Sequence, residues 1–238
     1  MLNADNSRIR RWIRILFFTW ILCLSMTLSA NAAGEIKNRN FIRKSDATQI
    51  IFVGDSNTLF ADFCSRKVKR GFILLGVNGG NVGVIDRGGS IRTALEQYIR
   101  KYPKAAVVFA FGKNGNGAPR KNARRCIRIY DSFIKKYPRT KFFAASIIPN
   151  NSRAKGSYSN EKIQTFNTIL REKYAKTGQY ISVNEYLMKN LNNDFRKSVN
   201  GKPARYGYFN SLHLNRIGST ILLRYVRKAV QGVTSAAS

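Results

Sequence analysis

Five short apolar runs, rich in β-branched and aromatic residues, recur along this chain, and a helical pattern separates each from the next. The runs are Gln49–Val53, Gly71–Val77, Ala105–Phe111, Lys141–Ile148 and Tyr180–Val183. Helices are predicted at roughly Leu59–Arg70, Ser90–Lys101, Asn122–Lys136, Asn160–Lys176 and Asn215–Gln231. Strands that alternate with helices pair in parallel, with the helices as crossovers on both faces. The near-continuous apolar character of the runs fits strands buried from both sides. Tyr102-Pro103 and Tyr137-Pro138 each stop a helix just ahead of a strand, since proline disfavours helical geometry in the residue before it. In the last helix Ile217, Ile221, Leu222 and Val226 fall near helical spacing and form one stripe.

The N-terminal segment has a different character. Arg8, Arg10, Arg11 and Arg14 precede a mostly apolar stretch, Ile15 to Leu28, and then the small-x-small triplet Ala30-Asn31-Ala32. A stretch of 14 residues is short of the roughly 20 needed to span a bilayer, so residues 1–32 are expected to be a cleaved signal peptide. Residues 33–47 are polar and basic and are read as a linker, 48–232 as one domain and 233–238 as a tail. Removing the first 32 of 238 residues leaves 206, enough for one domain with a sizeable core. That removal also takes both tryptophans and one of three cysteines. Cys64 and Cys126 remain, either as a disulfide in an oxidising compartment or as two buried thiols. The formal charge of +30 falls to +27 once four Arg and Asp5 are removed. Such a charge attracts polyanions. The tyrosines are scattered rather than interleaved with arginines, so no specific nucleic-acid platform is expected.

In open parallel sheets, sites lie beyond the carboxyl ends of the strands. Ser56 follows the first run, Gly80 the second and Asn114 the third, while His213 sits between the fifth run and the last helix. All four are thus placed on one edge. His213 is the sole histidine, the one imidazole able to serve as base for a serine.

These blocks together resemble the SGNH (GDSL-type) esterases and acylhydrolases. Gly54-Asp55-Ser56 resembles the family's first block and Asn78-Gly79-Gly80-Asn81-Val82-Gly83 its second, an N-x-G-x-x-G pattern. Gly112-Lys113-Asn114 resembles its third, usually G-x-N-D, and Asn210-Ser211-Leu212-His213 its last, usually D-x-x-H. The resemblance covers about Thr48 to Val230. It implies a flavodoxin-like three-layer α/β/α sandwich, here with a five-stranded parallel sheet. It also implies Ser56 as nucleophile, His213 as general base, and the Ser56 N–H, Gly80 N–H and Asn114 amide as oxyanion donors. Glycine at 80 is expected to clear the approach of backbone to substrate. Asp55 is expected to order the turn.

The chain departs from that pattern twice. Gly115 replaces the aspartate after the third-block asparagine, which predicts a changed loop. Asn210 replaces the aspartate that orients the histidine, leaving three outcomes: a working dyad with an amide orienter, a slow enzyme or an inactive one. A basic cluster, Arg120, Lys121, Arg124 and Arg125, opens the third long helix, where cations oppose the helix dipole. Either it is a solvated basic face or it binds an external anion.

The expected function is an exported serine esterase, secreted or held in the periplasm or cell envelope. It would remove a small acyl group such as acetyl from an extracellular glycan or other ester, with an anionic polymer as one candidate carrier. The alternatives are an acyltransferase on the same fold and an inactive relative that binds an anionic polymer. No metal or cofactor is expected, and no stable membrane insertion after signal cleavage.

Overall fold

The computed structural model describes residues 35–150, 156–190, 198–199, 202–203 and 212–235. Residues 1–32, expected to be a signal peptide, lie outside these, as do Asn210 and Ser211. Ile36–Ser238 forms one compact unit.

The elements in chain order are β1 (Ile36–Asn40), β2 (Ile50–Gly54), α1 (Ser56–Phe60), α2 (Arg66–Lys69), β3 (Phe72–Val77), α3 (Arg92–Lys101), β4 (Ala106–Ala110), α4 (Pro119–Lys136), β5 (Phe142–Ala145), α5 (Asn160–Tyr174), β6 (Tyr180–Ile181), α6 (Val183–Asn190), β7 (Ser198–Val199), β8 (Lys202–Pro203) and α7 (Arg216–Ser235). The main sheet has six strands in the order β1-β3-β2-β4-β5-β6, and β7 and β8 form a separate antiparallel pair. From β3 to β6 every pairing is parallel.

Because side chains alternate along a strand, the sheet splits its apolar residues between two cores. Ile51, Val53, Ile73, Leu75, Val107 and Phe109 meet α3, α4 and α5 on one face. Ile50, Phe52, Phe72, Leu74, Ala106 and Val108 meet α6 and α7 on the other. This is the expected three-layer sandwich. Cys126 belongs to the first core and Cys64 to the second; both are free thiols, separated by the sheet, so the disulfide alternative falls.

Three features depart from the sequence-based expectation. The sheet has six strands rather than five parallel ones. The extra strand, β1, comes from the segment read as a linker and pairs antiparallel with β3, Ile36 opposite Val77 and Asn40 opposite Ile73. The helix expected at Leu59–Arg70 is broken: Cys64 is extended (φ −66°, ψ 155°), and Ser65 starts the short helix α2. Beyond β5 the chain leaves the sheet. Asn167 then accepts from the Ile147 N–H (2.7 Å) and donates to its carbonyl (3.1 Å), replacing the lost ladder bonds.

Candidate active site

The carboxyl ends of β2, β3 and β4 lie side by side, with Gly54 opposite both Gly76 and Ala110. Ser56 leaves β2 as the first residue of α1. Asp55 caps that helix, its carboxylate accepting from the Asn57 N–H at 3.0 Å. This cap fixes where the serine points. It agrees with the expected turn-ordering role of Asp55.

Ser56 Oγ lies 2.9 Å from His213 Nε2, although 157 residues separate them. Leu214 beside the histidine is fully buried in the second core, which anchors the His213 loop from below. The Leu214 N–H donates to Asn57 Oδ1 at 3.2 Å. The Phe60 ring rests against the imidazole, with centroids 4.6 Å apart and planes tilted by 39°. Burial, with the Lys113 charge adding to it, holds the His213 pKa down to about 4. The imidazole is therefore neutral at ordinary pH and able to accept a proton from Ser56.

Gly80 and Asn114 also come together, but with each other: the Asn114 side-chain amide donates to the Gly80 carbonyl at 2.9 Å. The Gly80 N–H donates to the Val77 carbonyl at 3.1 Å, closing a turn. A Cβ at 80 would lie 2.7 Å from Val77 Cβ. The glycine is thus required by packing against its own turn, where substrate approach was the expected reason. Two donors remain uncommitted by these bonds. One is the second hydrogen of the Asn114 amide. The other is the Ser56 N–H, which at the first helical position has no acceptor within its own helix.

The Asn114 loop is held from behind. Asn122, buried in α4, donates to the Gly112 carbonyl at 2.8 Å. Gly112 has φ +135°, and a Cβ there would lie 2.4 Å from Phe166 Cζ. Gly115, standing where the resemblance expects aspartate, has φ +88°, a left-handed conformation that suits glycine.

The four cations of the basic cluster, Arg120, Lys121, Arg124 and Arg125, are not placed alike. All are exposed on α4. Lys121 and Arg125, one turn apart, line a cavity of about 150 Å3 with Asn81, Asn114 and Asn122. Arg120 and Arg124 do not line it. Arg128, further along, pairs with Asp86 at 3.2 Å.

Sequence reasoning missed Lys113, the middle residue of the third block. It is 3% exposed, and its ammonium donates to the Leu212 carbonyl, next to His213. Burial lowers its pKa to about 7, with the Asp55 charge opposing. Burial likewise pushes the Asp55 carboxyl up, against hydrogen bonds from the Asn57 and Lys113 N–H groups and the Lys113 charge. The signal was a lysine next to an apolar strand end, and lysine is rarely buried without a partner. Among the described residues, no group of three or more His, Cys, Asp or Glu is placed to hold a metal.

No family model matches the chain, and no curated protein does. Solved structures do. A lipase/acylhydrolase from Enterococcus faecalis is similar at 16% identity and a TM-score of 0.54, over 78% of this chain and 96% of that one. A member of the lipolytic protein G-D-S-L family from Veillonella parvula is similar at 14% identity and TM-score 0.54, over 76% and 97%. The catalytic domain of peptidoglycan O-acetyltransferase A from Streptococcus pneumoniae, carrying a methylsulfonyl adduct, is similar at 16% identity and TM-score 0.52, over 79% and 96%. Likeness at these identities speaks to architecture: the chain has the flavodoxin-like fold of the SGNH hydrolases.

Proposed function

We propose that this protein is a serine esterase or acylhydrolase in which Ser56 and His213 form the reacting dyad. The observation that carries this reading is the 2.9 Å approach of Ser56 Oγ to His213 Nε2 at the carboxyl edge of the sheet. Ser56 Oγ attacks the acyl carbon as His213 Nε2 takes its proton. The negative oxygen that develops is met by the Ser56 N–H and the free hydrogen of the Asn114 amide; losing one such donor typically lowers kcat about 10²–10³-fold. His213 then returns the proton to the departing alcohol. A water, deprotonated by the same nitrogen, releases the acyl group from Ser56. In this reading Asn210, which lies outside the described residues, is assigned the orienting role that the family's aspartate plays.

The proposed substrate is a small acyl ester, such as an acetyl group, on an extracellular glycan or similar polymer, and the proposed location is the cell envelope or beyond. The charge of +30 and the Lys121–Arg125 cavity beside Asn114 support an anionic carrier. Likeness to a peptidoglycan O-acetyltransferase domain favours a second reading, transfer of the acyl group to a sugar hydroxyl instead of water.

Hydrolysis of p-nitrophenyl acetate tests the dyad. Ser56→Ala and His213→Ala should each lower kcat/KM at least about 10³-fold, and a serine-directed phosphonate should label wild type but not Ser56→Ala. Equal turnover by wild type and Ser56→Ala would remove the reading. Absence of turnover and labelling, with polymer binding intact in Ser56→Ala, would favour the inactive, polymer-binding alternative. Product analysis with a glycan acceptor present separates transfer from hydrolysis.

A further inference from the structure

The peptide units on both sides of His213 are gripped by residues that converge on one carboxylate. On one side, the Leu212 carbonyl accepts from the Lys113 ammonium. On the other, the Leu214 N–H donates to Asn57 Oδ1 at 3.2 Å. The Asn57 backbone N–H in turn donates to the carboxylate of Asp55 at 3.0 Å, and the Lys113 charge acts on that same carboxylate, which is itself 3% exposed and lines one pocket with Lys113 and Asn57. Asp55 belongs to the β2–α1 turn that also presents Ser56. We infer that Lys113 is a positioning residue: with Asn57 and Asp55 it forms a buried clamp that locks the backbone of His213 to the turn carrying Ser56. This rests on the dyad proposed above and goes beyond it, since nothing in the four-block pattern assigns a role to the middle residue of the third block.

The clamp explains why a lysine is buried here. A buried ammonium is costly unless charge and hydrogen bonds compensate it. Asp55 supplies the opposing charge and Leu212 an acceptor. The arrangement has an electrostatic consequence as well. Among the described residues, the charged group facing the ammonium is Asp55, on the β2–α1 turn. The charged group facing His213 is Lys113, from the β4–α4 loop; Ser56 and Phe60 of α1 present no charge. A cation beside the imidazole disfavours the imidazolium. Lys113 therefore fixes the geometry of the base and adds its charge to the burial that keeps the ring unprotonated into acid.

His213 is the only histidine, so its ring signals in NMR can be followed without assignment by mutation. Three proteins are compared: wild type, Lys113→Met, which removes charge and donor, and Lys113→Gln, which restores a neutral donor. The imidazole should titrate at higher pH in both variants than in wild type. Against p-nitrophenyl acetate, kcat should fall at least about tenfold in Lys113→Met with KM changed less than about twofold, and Lys113→Gln should recover part of that loss. A residue that merely filled space would shift Tm without moving the titration or giving this rescue. Unchanged kcat and an unmoved imidazole titration in both variants would overturn the clamp. If Lys113→Met does not fold, Lys113→Gln and Asn57→Ala decide: an unmoved titration in the first and wild-type kcat in the second also overturn it. The titration needs no substrate, so a wild type without turnover removes the esterase reading and still leaves the clamp decided by the shift.

Discussion

The pH dependence of turnover follows from the surroundings of one ring. Burial and Lys113 hold the His213 pKa to about 4, against 6.5 for an unperturbed imidazole. At pH 5 a base with pKa 4 is about 90% neutral, whereas one at 6.5 is about 3% neutral, a roughly 30-fold difference. The kcat/KM profile reports the free enzyme's ionisations. It should stay nearly flat from pH 7 down to about 5 and fall only near 4. The assay is p-nitrophenyl acetate hydrolysis in buffers of constant ionic strength, corrected for spontaneous hydrolysis at each pH. The sign for stability is the same. A folded-state pKa below the unfolded one means the fold favours the neutral ring. That contribution is complete above about 6.5 and is lost as pH falls towards 4. An acid limb centred near 6.5 would overturn this expectation, because it would mean the imidazole is solvated and far from the Lys113 charge.

Other outcomes follow from the same geometry. Gly112→Ala must place a side chain at φ +135° and against Phe166, so it should destabilise the fold by about 2–4 kcal/mol, read from urea midpoints at constant m; a change below about 0.5 kcal/mol would contradict the packing described. Neutralising Lys121 and Arg125 to Gln should raise KM for a p-nitrophenyl ester carrying a free carboxylate several-fold and flatten its salt dependence, while Arg120→Gln with Arg124→Gln should change it little; equal effects from the two pairs would assign the cations to general surface charge. Cys64 and Cys126 should resist a thiol reagent in the native protein and both react once it is unfolded without reductant. Failure of both to react then would mean they are bridged.

Much of the sandwich is legible in the sequence because its central strands are fully buried and read as unbroken apolar runs. Tyr102-Pro103 and Tyr137-Pro138 mark where α3 and α4 end for a local steric reason. The elements that escape are those whose stability comes from neighbours. Strand β1 reads Ile-Lys-Asn-Arg-Asn, with no apolar alternation, and owes its conformation to the open edge of β3. The break between α1 and α2 was signalled only by Ser65, a helix-starting residue inside an otherwise helical pattern. At the site, Ser56, His213, Gly80 and Asn114 could be found by order and spacing. For Lys113 the lysine beside a strand end signalled burial and no more; the clamp proposed for it and Asn57 depends on the convergence of loops far apart in sequence. The Gly80 N–H, expected as an oxyanion donor, bonds the Val77 carbonyl within its own turn.

The antiparallel strand at the sheet margin bears on how this protein can be trimmed. A version begun at residue 48, where the apolar pattern starts, would keep Ser56, His213 and the buried residues of both cores, losing Phe41 and Ile42 that pack against them. It would also strip β3 of its outer partner, uncovering a row of amides and carbonyls from Ile73 to Val77. An unpaired margin of that length is a template for another copy of the same chain. The short polar arm is thus expected to seal that margin against self-association, independent of any chemistry at Ser56.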